Sequence, residues 1–261
     1  MRKSNTGAIL NWWNALFFLL GLALATGVHL AFSGKPDSSA HAGKKAQPPW
    51  GELECTTFKL ALPEEAISQD FKMAKAISPI STLLMKVRVT PQSDLDALIN
   101  YWGRGKRGKT LRPFLESLVR VPEGEAVNVC DFFPAIARMR LYTFPAMGKE
   151  RWSAQQECFW LGLNFFNEVP DNSALTVEQV EARLAADYAE VKTNFGFGDL
   201  VVLRTSARQI RHLCVHIADN VVFTKPAGVN APWVLMRLGE MVKEFPSETP
   251  LEMAVYRKKE I

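Results

Sequence analysis

HLCVHIADN, residues 212–220, followed directly by VVFT, residues 221–224, decides how this chain is read. Alternation along a strand puts His212, Cys214 and His216 on one side and Leu213, Val215 and Ile217 on the other. Asp219-Asn220 is a dipeptide that tolerates positive φ, so a two-residue hairpin turn is expected between the two strands. The same period of two appears just upstream in DLVVLR, residues 199–204, and again in LEMAVYR, residues 251–257. Before these strands, Val177, Val180, Leu184, Tyr188 and Val191 recur at spacings of three and four, which predicts a helix from Val177 to Val191. Thr176 with Gln179 supplies its capping-box start. Helices followed by strands that short turns connect predict an α+β fold with an antiparallel sheet.

Further toward the N-terminus the signals are weaker. LECTTFKLAL, from Leu53 to Leu62, alternates as a strand does, and Asp94 to Trp102 and Leu111 to Val119 read as short helices. Hydrophobic residues make up 48% of the 261-residue chain and charged ones 22%, a globular balance. The net charge of +4 comes without a basic stripe interleaved with aromatics, so no nucleic-acid partner is expected. Cys55, Cys130, Cys158 and Cys214 fit neither a zinc-ribbon spacing nor a disulfide scaffold.

From Ile9 to Phe32 no charged residue interrupts the chain. A helix of that length spans about 36 Å, enough to cross a bilayer. Arg2 and Lys3 precede it and Trp12 and Trp13 lie near that end, so the positive-inside rule keeps the N-terminus cytoplasmic. The expectation is a single-pass anchor in a bacterial-type inner membrane with the soluble part on the extracytoplasmic side. A cleaved signal peptide ending near Ala40-His41-Ala42 is its rival. The chain divides into an anchor or signal peptide (1–34), a linker (35–49), an accessory α/β region (50–135) and a C-terminal domain (136–261).

The chemistry concentrates in the C-terminal part. Cys158 opens an apolar helical stretch, CFWLGLNFF, and falls in a first helical turn. Unpaired backbone N–H groups there would lower a thiol's pKa. A free cysteine is more often a small core residue. His212, near the start of a later strand, is placed to accept a thiol's proton across a helix–sheet junction.

With those residues in view, GDLVVLR, HLCVHIADN and VVFT resemble the closing half of the NlpC-type papain-like cysteine peptidases. The upstream LYTFPAMGKERWSAQQECFW is similar to that family's stretch from a pocket tyrosine to the nucleophile's helix. The resemblance covers about Leu141 to Thr224 and implies a papain-like fold in which a nucleophile helix packs on an antiparallel sheet. It implies Cys158 as nucleophile, His212 as general base, Thr224 as third member and Tyr142 in the pocket. The implied function is a cysteine hydrolase that cleaves an amide bond by acyl transfer, with a peptide or cell-wall substrate and no cofactor. The sequence departs from the family at Glu157-Cys158-Phe159-Trp160, where bulkier residues replace Asp-Cys-Ser-Gly, and at Thr224, where His, Asn or Gln is usual. Those departures support the alternative of a catalytically inactive binding module with the same fold.

Two competing motifs remain. GRGKRGKT, from Gly103 to Thr110, matches the phosphate-loop pattern GxxxxGK[ST], but that loop requires a strand before it and helical sequence precedes this one. Arg104, Lys106, Arg107, Lys109 and Arg112 therefore read as a solvated turn, and no nucleotide is expected. His212, Cys214 and His216 could instead share a zinc ion, since alternate strand residues lie about 6.5 Å apart. No HExxH motif accompanies them, and no metal is the preferred reading.

Overall fold

The C-terminal strand signals are real, but the sheet they build is only one of two. The computed structural model describes residues 47–61, 79–145, 154–171, 173, 176–226 and 231–259. The expected anchor and most of the linker lie outside these residues. Among the described residues no helix is long and apolar enough to cross a membrane. The expected inner-membrane placement and the fold class that began with a membrane helix are therefore withdrawn. In place of one antiparallel sheet, the described residues form one compact mixed α/β unit with two antiparallel sheets.

The smaller sheet joins β1 (Glu52–Leu60), β2 (Ile80–Val89) and β3 (Glu125–Asn128) in that order. Its helical insertion holds α1 (Leu95–Trp102) and α2 (Gly108–Leu118), with a 3-10 turn (Val129–Phe132) and α3 (Ala135–Arg140) after β3. Asp94 starts α1 by accepting a hydrogen bond from the Ala97 N–H, as a short carboxylate at a helix N-cap does. Leu83, Met85, Val87 and Val89 alternate along β2 and are all buried, which fixes its inward face.

The larger sheet follows α4 (Ala154–Asn164) and α5 (Val177–Asp187). It comprises β4 (Tyr188–Val191), β5 (Leu200–Arg204), β6 (Ile210–Ala218), β7 (Val221–Thr224), β8 (Val234–Arg237) and β9 (Glu252–Lys258). Their order across the sheet is β4-β9-β5-β6-β7-β8, and α6 (Leu238–Lys243) follows β8. Asp219, at φ +52°, makes the β6–β7 turn that its sequence called for. The predicted helix from Val177 is shorter than expected. Tyr188 to Val191 leave it to pair with β9, because Tyr188 and Val191 suit a strand face as well as a helix face.

The two faces of the larger sheet bury different clusters. Leu200, Val202, Leu213, Val215, Ile217, Val221 and Phe223 belong to the main core, together with Cys158 and most of α4. Val201, Leu203, Cys214, Val222, Val234 and Val255 belong to a second cluster covered by Leu238 and Met241 of α6. Gly162 lets α4 lie close against the first face, since a Cβ there would collide with the Leu213 side chain. The main core also carries a run of rings, with Trp102 stacked on Phe132 at 4.9 Å and Phe133, Phe165, Phe197 and Phe223 in edge or tilted contact. That run joins the insertion helices to the larger sheet in one interior.

Candidate functional site

Sheet geometry determines where the four expected site residues go. His212 is paired with Leu203 across β5–β6, and Leu203 belongs to the second cluster. Thr224 is paired with Val234, also of the second cluster. His212 and Thr224 therefore share a face, and His212 Nε2 lies 2.7 Å from Thr224 Oγ1. Phe245, just past α6, covers the imidazole with ring centroids 4.1 Å apart and planes 23° from parallel. Cys158 instead belongs to the main core, on the face that carries Leu213 and Leu200. The structure brings His212 and Thr224 together and sets Cys158 on the other side of the sheet.

Position along the helix matters as well. Because α4 begins at Ala154, Cys158 is in its second turn and not the first. The free N–H groups that would stabilise a thiolate are confined to the first turn, so little of that effect reaches this sulfur. Burial pushes the Cys158 thiol up to about 12; a backbone hydrogen bond at Leu213 and the charge of Lys225 pull it down only partly. Burial, with Lys225 nearby, pushes the His212 imidazole down to about 3. At neutral pH this pair is thiol and neutral imidazole, not thiolate and imidazolium.

Tyr142 does not line a cleft beside either residue. Its hydroxyl donates to the Leu83 carbonyl at 2.5 Å, its N–H donates to the Trp233 carbonyl at 2.7 Å, and Phe58 meets its ring edge-on at 5.3 Å. It is a tie between β2 and the residue before β8. The zinc alternative is not assembled either. His216 places one ring nitrogen 3.0 Å from the Gly196 carbonyl oxygen and the other 2.9 Å from that of Asp219. Among the described residues no group of three or more His, Cys, Asp or Glu side chains is arranged to hold a metal ion.

The buried imidazoles have a consequence for stability. Below pH 6.5 the unfolded chain protonates His212, whereas the folded chain resists until about pH 3. The folded-state value is depressed, so stability falls as pH drops through this window. One such proton contributes a slope of about 1.4 kcal/mol per pH unit. His216 is also lowered, chiefly by burial, and adds in the same direction. Urea titrations from pH 7 down to pH 4 are expected to lose stability steadily, with a shallower slope in His212→Gln. An identical slope in that variant would show that His212 is not the group responsible.

Several polar residues that the sequence left unassigned turn out to be structural. Arg104, read as part of a solvated turn, donates to the Phe197 carbonyl at 2.6 Å and to Asp199 Oδ1 at 2.7 Å. Arg107 of the same turn donates to the Phe132 carbonyl, and burial lowers its pKa. Arg257 reaches Asp199 through two bonds, at 2.9 and 2.6 Å, and the Gly196 N–H adds a fourth contact to that carboxylate at 2.7 Å. Burial alone would raise the Asp199 pKa; Arg257, the Gly196 N–H and Arg104 together hold it below the usual carboxylate range.

Beside the N-terminal half of α4 lies a second polar group. Lys225 Nζ approaches Glu157 Oε2 to 2.7 Å, with the lysine side chain fully buried and the glutamate 11% exposed. That oxygen has no well-directed hydrogen bond despite the distance, so the contact is better described as charge against charge than as a donor–acceptor pair. Arg140 sits close by, its guanidinium carbon 5.3 Å from the Trp160 ring centre and 5.1 Å from that of Trp233. The sequence signal for this group was Glu157 and Trp160 flanking the suspected nucleophile, which drew attention to the sulfur instead. No protein-family model matches the chain, and neither a curated protein nor a solved structure does.

Proposed function

We propose that this chain is a non-catalytic binding module, the inactive alternative that its resemblance to NlpC-type domains left open. The observation that carries the reading is the separation of Cys158 and His212 by the larger sheet. Acyl transfer requires a base within hydrogen-bond reach of the nucleophile, directly or through one water. Here the imidazole's close polar partner is the Thr224 hydroxyl on its own face. Both groups are almost wholly buried, Cys158 at 2% and His212 at 1% exposure, and their pKa values are driven away from neutrality in the directions that silence them. Cys158 then acts as a small apolar residue where α4 presses on β6.

The test is reaction of Cys158 with iodoacetamide at pH 7. The thiolate is the reactive species, so a thiol titrating near 12 against an ordinary value of about 9 is expected to react on the order of a thousandfold more slowly than a free cysteine. Cys158→Ala is expected to keep the fold and any binding. Labelling faster than a free thiol, lost in His212→Ala, would instead favour the hydrolase reading. One observation speaks for that second reading: the His212–Thr224 contact reproduces the base-to-third-residue pairing that the resemblance implies.

A further inference from the structure

The group around Arg140 leaves a guanidinium and an indole N–H without an acceptor among the described residues. Arg140 ends α3 and is half-buried, and its guanidinium lies against both Trp160 and Trp233. Among the described residues it forms no ion pair. Trp233 is only 4% exposed, and its indole N–H is buried with no acceptor among the described residues. The backbone holds the two side chains in place. Leu141 bridges to Trp233, the Tyr142 N–H donates to the Trp233 carbonyl at 2.7 Å, and the Trp233 N–H donates to the Thr143 carbonyl at 3.1 Å. Lys225 Nζ, 6.0 Å from the Trp233 ring centre, already faces the Glu157 carboxylate. The charges of Lys225 and Glu157 offset each other, which among the described residues leaves the positive charge of Arg140 and, beside the unbonded Glu157 Oε2, the unmet indole donor.

We propose that Arg140 and Trp233 receive the carboxylate of a small organic acid or of a peptide C-terminus. A carboxylate supplies an acceptor for the indole N–H and a negative charge for the guanidinium. One oxygen meets the indole N–H, and the other meets the guanidinium in a charge-assisted hydrogen bond. The two indoles flank the cation and shield that contact from bulk water, strengthening it relative to an exposed pair. A single net positive charge matches a monoanion better than a phosphate. An uncompensated buried donor is costly in a native structure, and a site whose ligand supplies the acceptor accounts for it. This inference rests on the binding-module reading and assigns that module a ligand class.

The test follows the indole resonance of Trp233 in a 1H–15N spectrum, assigned with Trp233→Phe. N-acetylalanine is expected to shift that resonance saturably, and N-acetylalaninamide, which lacks the carboxylate, is expected not to. A blocked tripeptide with a free C-terminus separates the two sources: tighter binding than N-acetylalanine identifies a peptide end, and equal binding identifies a small acid. Arg140→Gln is expected to weaken binding by about tenfold or more, with Arg140→Lys, which keeps the charge, falling between. Far-UV circular dichroism confirms that each variant is folded, and if the glutamine variant is not, the lysine variant carries the comparison. An absent shift, an equal shift with the amide, or unaltered affinity in both folded arginine variants overturns the proposal. Iodoacetamide labelling of Cys158 on the same sample keeps the two failures apart. Slow labelling without a carboxylate response sinks the site alone, whereas fast labelling sinks the binding-module reading.

Discussion

Asp199→Ala is expected to destabilise the protein by roughly 3–5 kcal/mol, the usual cost of removing one partner from a buried ionic group. The Asp199 side chain is fully buried, while Arg104 and Arg257, its two partners, keep 18% and 38% of their side-chain surface exposed. Without the carboxylate, two guanidiniums face each other and the Gly196 N–H loses its acceptor. Asp199 also stands where Gly198, at φ +83°, turns the chain into β5, so the loss is felt at the entry to the larger sheet. Urea unfolding at pH 7 measures the effect. Asp199→Asn, which keeps the shape without the charge, is expected to lose less. A loss below about 1 kcal/mol for the alanine variant would mean that the arginines find water readily enough to replace the carboxylate.

Lys225→Met is expected to cost a similar amount, about 3–5 kcal/mol, for a related reason. The lysine side chain is fully buried, and Glu157, 2.7 Å away, is nearly so. Removing the ammonium leaves a carboxylate against the apolar helix α4. Adding Glu157→Gln to the same protein is expected to restore most of the loss, because a buried pair replaced as a unit is far cheaper than a pair that is broken. If the double variant is no more stable than Lys225→Met, the damage comes from lost packing and not from the stranded charge. The charge of Lys225 also helps to depress His212. The acid-sensitive window of Lys225→Met should therefore close at higher pH than in the parent protein, its upper edge being set by the unfolded chain and left unchanged.

Much of the larger sheet was legible because each strand announced itself alone. HLCVHIA and EMAVYR alternate, LVVL and VVF are short apolar runs bounded by polar residues, and Asp219-Asn220 marks the turn between two of them. The strand β8, VLMR, was not legible: four residues after a Pro-Trp pair carry no period. The smaller sheet was read only in part: LECTTFKLAL marked β1, but β2 and β3 went unread. Its central strand β2 hides an alternating Leu83, Met85, Val87, Val89 behind the interleaved Lys86 and Arg88, and β3 is short. The placement of the candidate pair turned on a point that sequence does not encode. Alternation established that His212 and Leu213 face opposite ways, but not which way α4 would lie. Gly162, opposite Leu213, settles that, and its role is visible only once the helix has a sheet to touch. Arg104 and Arg107 were misjudged because a cluster of basic residues with glycines reads as solvent-facing, while the acceptors they reach lie 25 to 95 positions further along.

The rim formed by β8 is the end of the larger sheet, where unpaired backbone groups invite another polypeptide to add itself as a further strand. Two successive positions on that rim are already filled. The Trp233 N–H and carbonyl are taken by Thr143 and Tyr142, and both backbone groups of Leu235 are met by one hydroxyl, Thr82 Oγ1, which donates at 3.0 Å and accepts at 3.1 Å. A single side chain from β2 thus blunts the outermost strand as an extra ladder rung would. Thr82→Val, which fits the same space without the hydroxyl, would leave both Leu235 groups buried and unmet, and its first symptom would be a loss of stability of about 1–3 kcal/mol, read by urea unfolding.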